Sequence, residues 1–337
     1  MNSTMYLSKF IRSFFQDYLV SQRNMSGDTV KSYRDATKLF IAFAAGRAKK
    51  TPAKLLVTDI TQECVLDFLQ YLENNRGNSL QTRNHRLIVV RRIFEYISFR
   101  DPVLLDHCRK ILSIPLKRNT TYPEICYLDK RELAALFAAI DTRTVIGRRD
   151  YAILLFMYNT GARVTEAANS IVAWLSLQPP HKVEILGKGR KWRTCPLWKS
   201  TVTALRTSLS DRGTRIESDD HLFINRFRKP LSRFGIRNAI EKYKNKAILQ
   251  MPSLKSKTVT PHTLRHSTAM HLLQSGVEIN VIRSWLGHVK LETTHRYAEI
   301  DLAMKTKALE ACEVTNRGIS SRRWRSDPDI LKWLESL

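Results

Sequence analysis

The stretch TPHTLRHSTAMHLLQSG, residues 260–276, and the stretch IRSWLGHVKLETTHRY, residues 282–297, decide how this chain is read. Apolar residues recur at helical spacing from Thr263 to Ser275, and Gly276 punctuates that helix. A shorter helix, Ile279 to Trp285, ends at Gly287. Before, within and beyond these helices stand His262, Arg265, His288 and, nine residues after His288, Tyr297. Working outward toward the N-terminus, Arg163 sits in Thr-Gly-Ala-Arg-Val-Thr-Glu and Lys188 in Gly-Lys-Gly. Any one of these fragments is weak: a lone arginine is more often a surface ion pair, and a lone histidine more often a satisfied structural one. Together they supply a phenol nucleophile, cations to hold an anion and groups to move protons.

The balance of charge names the class of partner. The 337 residues hold 56 Lys+Arg against 31 Asp+Glu, a net of +25, so a polyanion is the natural ligand. Residues 1–115 hold 18 basic against 10 acidic side chains, and the remainder 38 against 21. The excess is spread along the chain, which suits a clamp around the polyanion better than a globular body with one basic tail. The apolar run Tyr151 to Tyr158 is far too short to span a bilayer, and the N-terminus lacks a signal-peptide pattern. Five scattered cysteines, Cys64, Cys108, Cys126, Cys195 and Cys312, form no Cys-x-x-Cys pair and read as reduced buried thiols of a cytoplasmic protein.

Along the chain the first 115 residues read as all-α. Tyr6, Leu7, Phe10, Ile11, Phe14, Phe15 and Tyr18 share one helical face over 5–19. Asp28-Thr29 opens a second helix that Gly46 helps to end, and Thr58 or Thr61 caps a third carrying Val65, Leu66, Phe68, Leu69 and Leu72. A fourth runs from Leu80 to Ser98, with Arg83, Arg86, Arg91 and Arg92 on its other face, expected to touch phosphates. A short helix follows near Val103–Leu112. Residues 114–125 break the periodicity with two prolines, and 116–125 are the expected linker. Helices are then expected over Glu132–Ile140 and Arg149–Asn159, with Gly161 breaking the chain before Arg163. From Lys182 the period changes to two: Val183 and Ile185, the Gly-Lys-Gly turn, then Trp192 and Thr194 read as a β-hairpin. The expected architecture is mainly α, with an N-terminal helical bundle (1–115), a mixed α/β domain with a small antiparallel sheet (126–312), and a tail (313–337). In the tail, Ile330, Leu331, Trp333, Leu334 and Leu337 form one face of a short helix.

On the residues quoted above, the chain resembles the tyrosine recombinases, also called the phage integrase family. The match is specific over 259–299 and looser over 1–115, where it implies the family's core-binding domain. The resemblance implies cleavage and rejoining of specific double-stranded DNA through a 3′-phosphotyrosyl link and a four-way junction, by a homotetramer on two duplexes, acting at the bacterial nucleoid. It implies Tyr297 as nucleophile and Arg163, Arg265 and His288 as donors to the scissile phosphate. His262 is the implied general base, Lys188 the general acid for the leaving 5′-oxygen, and Glu166 the carboxylate that orients the site. Chemistry supports such roles: arginine forks bind two oxygens and stay protonated, and an ammonium avoids expulsion of a strongly basic alkoxide. Arg190 and Lys191, beside the turn, are expected to touch DNA. No cofactor is implied, because the phosphotyrosyl bond conserves the energy for ligation. The core-binding helices begin by about residue 5, so the family's separate arm-binding domain is not expected; a simple recombinase or mobile-element transposase fits. The family's Asp-containing strand entry is missing from Ala167 to Gln178.

Rival motifs fail on detail. Gly189 stands where a P-loop needs Ser or Thr. His262-x-x-x-His266 has zinc-helix spacing, but Thr263 replaces the required glutamate, so no metal is expected. Two other readings of function stay open. A type IB topoisomerase uses the same chemistry as a monomer and relaxes supercoils without pairing sites. A non-catalytic DNA-binding protein on the same fold has no need of an intact Tyr297 and its five partners.

Overall fold

The computed structural model describes residues 5–118, 125–187, 189–213 and 216–287. It divides into two compact units, Met1–Pro123 and Glu124–Leu337. Lys188, His288, Tyr297, Cys312 and the expected tail helix lie outside the described residues, as does most of the linker.

The first unit is built of helices. α1 spans Leu7–Ser13 and continues as wider turns over Phe14–Gln22, closed by a bond from the Arg23 N–H to the Tyr18 carbonyl. α2 spans Gly27–Arg47, capped by Ser26 rather than opened at Asp28. Gly46 does not end it. Lys49 takes the left-handed conformation instead (φ 51°), and the Lys50 N–H reaches back to the Ala45 carbonyl, satisfying an orphan acceptor of the last turn. α3 spans Gln62–Asn74, with Thr61 as its cap. α4 spans Leu80–Arg100 and α5 Leu105–Leu112. Phe14, Phe40, Phe68, Leu69, Leu87, Phe94 and Ile97 meet in one core.

The four arginines of α4 do not share a face. Arg86 and Arg92 lie about 120° apart around the helix, and Arg83 is turned inward against Glu73 at 3.6 Å. Arg86 and Arg91 are half-buried, and Arg92 is exposed and paired with Glu95 at 2.6 Å. Arg83, expected among the phosphate contacts, is thus packed inward on this 21-residue helix.

The second unit starts with α6, Lys130–Ala138, capped by Asp129, and α7, Val145–Thr160. α8 covers Val164–Asn169. A three-stranded antiparallel sheet follows: β1 (Leu175–Ser176), β2 (Lys182–Leu186) and β3 (Trp192–Pro196), in that order. Then come α9 (Lys199–Ser210), α10 (Arg233–Ala247), α11 (Pro261–Gln274) and α12 (Ile279–Leu286). The expected hairpin is present, with Val183 paired to Cys195 and both buried. Two residues such as Val183 and Ile185 stabilise the unit by about 1.5–3 kcal/mol each when buried. β1, α8, α9 and α10 were not assigned from sequence. α9 is rich in Ser and Thr, poor helix formers, and it holds its shape by packing Val202, Leu205 and Leu209 into the core that α7 also lines. Cys126 is half-buried rather than buried; Cys64, Cys108 and Cys195 are buried free thiols. No described helix is long and apolar enough to cross a membrane.

Candidate functional site

α7 ends at Gly161, whose φ of 61° is the left-handed conformation a side chain disfavours. A Cβ there would lie 2.3 Å from Leu286 Cδ2, so the position also demands the smallest residue. The turn delivers Arg163 to the N-terminus of α8 as its capping residue. Glu166, three residues on, accepts the Arg163 backbone N–H at 2.9 Å and its Nη1 at 2.7 Å. This is the reciprocal half of a capping arrangement. It holds the Arg163 fork while leaving 27% of that side chain exposed.

Glu166 is buried and has a second cation. Arg193 Nη2 donates to Glu166 Oε2 at 2.6 Å, and Arg193 Nε donates to the Trp285 carbonyl at 3.0 Å. Burial pushes the Glu166 carboxyl up, but Arg193 first, and then Arg163, more than offset it, so the group is held below the ordinary glutamate value. It stays ionised between its two arginines.

α11 begins with Thr260 as cap and Pro261 in its first turn. His262 and Arg265, three apart, share a side of that helix. Arg265 is 4% exposed. Its Nη1 donates to the Gly161 carbonyl at 2.5 Å and its Nη2 to the Leu286 carbonyl at 2.6 Å. Consecutive carbonyls at the end of α12, Trp285 and Leu286, therefore receive Arg193 and Arg265. A helix C-terminus presents orphan acceptors and negative potential, which suits two guanidinium groups. Gly287 follows in the left-handed conformation, with a would-be Cβ 3.2 Å from Arg193 Cδ. Trp285 Nε1 donates to the Asn159 carbonyl at 3.1 Å and ties α12 to the end of α7.

His262 stands exposed at the rim of this cluster. Its pKa is lowered, first by desolvation of the ring and then by the Arg265 and Arg163 charges. The neutral, proton-accepting imidazole is thus favoured at neutral pH.

Of the sequence-expected catalytic set, the structure brings together Arg163, His262 and Arg265, with Glu166 beneath Arg163. Arg190 and Lys191 are exposed next to the hairpin turn, Arg190 at a φ of 58°. Lys188, His288 and Tyr297 lie outside the described residues. Arg193 is the residue that sequence reasoning passed over. The signal was available: Cys195 faces the core from β3, so two-residue alternation turns Arg193 to the same face, opposite Ile185.

Comparison with known proteins gives a consistent picture. The family model described as phage integrase family matches residues 126–303. The model described as phage integrase, N-terminal SAM-like domain, matches residues 13–99. An integrase/recombinase of Sinorhizobium fredii, y4rC, is 38% identical over 333 residues, covering 98% of each chain. The tyrosine recombinase XerD of Listeria innocua is 28% identical over 291 residues, 85% of this chain and 92% of that one. In fold, the chain is similar to the XerH site-specific recombinase bound to its palindromic difH substrate, with a TM-score of 0.69 at 20% identity, over 91% of this chain and 95% of that one.

Proposed function

Because this chain belongs to the phage integrase family, we propose that it recombines double-stranded DNA at specific sites by transient attachment of a 3′-phosphate to Tyr297. The observation that carries the reading is the meeting of Arg163, held by a buried, ionised Glu166, with Arg265 and a neutral His262. Two guanidinium groups held by neighbouring atoms can stabilise the charge that grows on the non-bridging oxygens of a pentavalent phosphate, with little reorganisation at the moment of reaction. His262 accepts the phenol proton of Tyr297. The phenol oxygen attacks phosphorus, the bond to the 5′-oxygen breaks, and Lys188 donates the proton that leaves a neutral 5′-hydroxyl. His288 adds a donor to the same oxygens. Religation runs the same steps backward from a 5′-hydroxyl, so no nucleotide is consumed. Arg86, Arg91, Arg92, Arg190 and Lys191 lie along the backbone of the duplex, and four copies assemble on two sites at the nucleoid in the cytoplasm.

The test is the covalent bond. Tyr297→Phe should bind a nicked duplex selected from a random pool by the wild-type protein, and form no adduct on it. An adduct resistant to denaturant from the Phe variant sinks the assignment of the nucleophile. Relaxation of supercoiled plasmid with no joint product from paired sites turns the reading toward a type IB topoisomerase.

A further inference from the structure

Arg193 occupies a β3 position where the hairpin calls for an apolar side chain. Its cross-strand neighbour is Ile185, the next inward residue is Cys195, and both are buried. Only 8% of the Arg193 side chain is exposed. A guanidinium is tolerated in such a place when its donors find acceptors. Here those acceptors belong to two other segments, Glu166 of α8 and the Trp285 carbonyl of α12.

The hairpin does not depend on Arg193 for its place. Val183, Ile185 and Cys195 pack in the core. Asn159 at the end of α7 donates to the Pro196 carbonyl at 3.1 Å and accepts the Trp198 N–H at 2.9 Å. What Arg193 adds is alignment between segments that each carry chemistry. β2 and β3 flank the turn with Lys188. Glu166 holds the Arg163 fork. Trp285 lies three residues before His288.

We propose that Arg193 is a positioning residue for DNA strand cleavage, joining the Lys188 hairpin, the Arg163–Glu166 pair and the end of α12 into one unit. This rests on the function proposed above. Two consequences separate it from a packing role. First, part of what Arg193 does runs through Glu166, so its removal should cost less once Glu166 has lost its charge. Second, Arg193 is the leading influence that holds the buried Glu166 carboxyl low. Without it, burial raises that pKa. Glu166 then takes up a proton as the pH falls, and Arg163 loses its charged partner. The defect of an Arg193 variant is therefore deepest at low pH and recovers as the pH rises.

The experiment measures adduct formation and single-site binding on the same nicked duplex, from pH 5.5 to 8.5, for wild type, Arg193→Gln, Glu166→Gln and the double variant. Arg193→Gln should bind the duplex with affinity close to wild type and cleave it about 10²-fold more slowly at neutral pH, the size of loss that a displacement of about 1 Å produces. Its acid-side decline should be steeper than that of wild type; the added steepness should be absent from the double variant, whose loss relative to Glu166→Gln should be smaller than that of Arg193→Gln relative to wild type. Arg193→Lys guards against misfolding. It keeps a cation beside Glu166 and gives up the fork that reaches Trp285, so it should show no new pH step and still cleave slowly. Losses that multiply in the double variant, a flat pH difference, or an Arg193→Lys protein as fast as wild type each overturn the proposal. If wild type itself forms no adduct, the reading of function fails and this inference with it. A wild-type adduct matched by Arg193→Gln breaks this inference alone.

Discussion

Arg83 in the first unit and Arg193 in the second are both buried, at 6% and 8% side-chain exposure, yet their donors are used differently. Arg83 Nη1 donates to Asn84 Oδ1 at 3.0 Å, its Nε lies 3.6 Å from Glu73 Oε1, and that Nε has no hydrogen-bond partner. Desolvation lowers its pKa against the pull of Glu73. The same small cluster fastens residue 117: Asn84 accepts the Lys117 N–H at 3.2 Å, and Glu73 accepts Lys117 Nζ at 2.7 Å. Arg193 instead donates at 2.6 and 3.0 Å to two other segments. A buried charge is weak evidence of stabilisation by itself. The difference teaches that its partners decide its meaning: Arg83 is packing with an unsatisfied atom, and Arg193 is a junction.

Replacement of each arginine by methionine, apolar and of similar reach, tests that contrast most directly. Arg193→Met should lower stability by about 3 kcal/mol, because it leaves Glu166 buried with one cation fewer. Arg83→Met should stay within about 1 kcal/mol of wild type, since it removes a poorly bonded buried charge while Glu73 keeps Lys117. Urea unfolding of the two variants reads both numbers, and equal losses break the comparison. A loss of that size still leaves a domain of ordinary stability folded.

A smaller effect sharpens the electrostatics of the second unit. The positive charges of Arg265 and Arg163 hold His262 down after desolvation has done so. Removing one positive charge must raise the imidazole pKa. NMR titration should place His262 of the wild type below the ordinary histidine range and move it upward in Arg163→Gln. Cleavage by the wild type should accordingly persist as the pH falls through that range and decline only below it. An unchanged or lowered His262 titration in Arg163→Gln removes the basis for the site's geometry.

The smallest effect concerns two arginines of the first unit, the half-buried Arg91 and the exposed Arg92. Arg91→Ala and Arg92→Ala should each weaken DNA binding about equally across sequences and reduce the salt slope of affinity by about 1. Arg83→Met should leave the slope unchanged. A lost slope in Arg83→Met would mean that the residue turns outward to phosphate, and the contrast with Arg193 would go.

Much of this was legible in sequence. Long amphipathic helices such as Gln62–Asn74 and Leu80–Arg100 declare themselves, because many core contacts repeat at one period. The hairpin is equally plain, with β-period residues on both sides of a Gly-Lys-Gly turn. Lengths at helix ends are less so: Lys49 takes a conformation that its residue type does not advertise. α8, at six residues, and β1, at two, are too short to show a period.

The sequence by itself determined the mainly helical class, the basic character of both units, and the order of Arg163, His262 and Arg265. Those depend on local periodicity, composition and spacing, which travel with the chain. Tertiary structure alone decided which arginines are tools and which are packing. The sequence pattern puts Arg83 among the phosphate contacts, and the fold turns it inward; the pattern gives Arg193 no role, and the fold makes it join three segments. The physical reason is that a guanidinium's role depends on acceptors brought from elsewhere in the chain. Glu166 is 27 residues from Arg193, and the Trp285 carbonyl is 92 residues away. No local pattern records a bond across such separations.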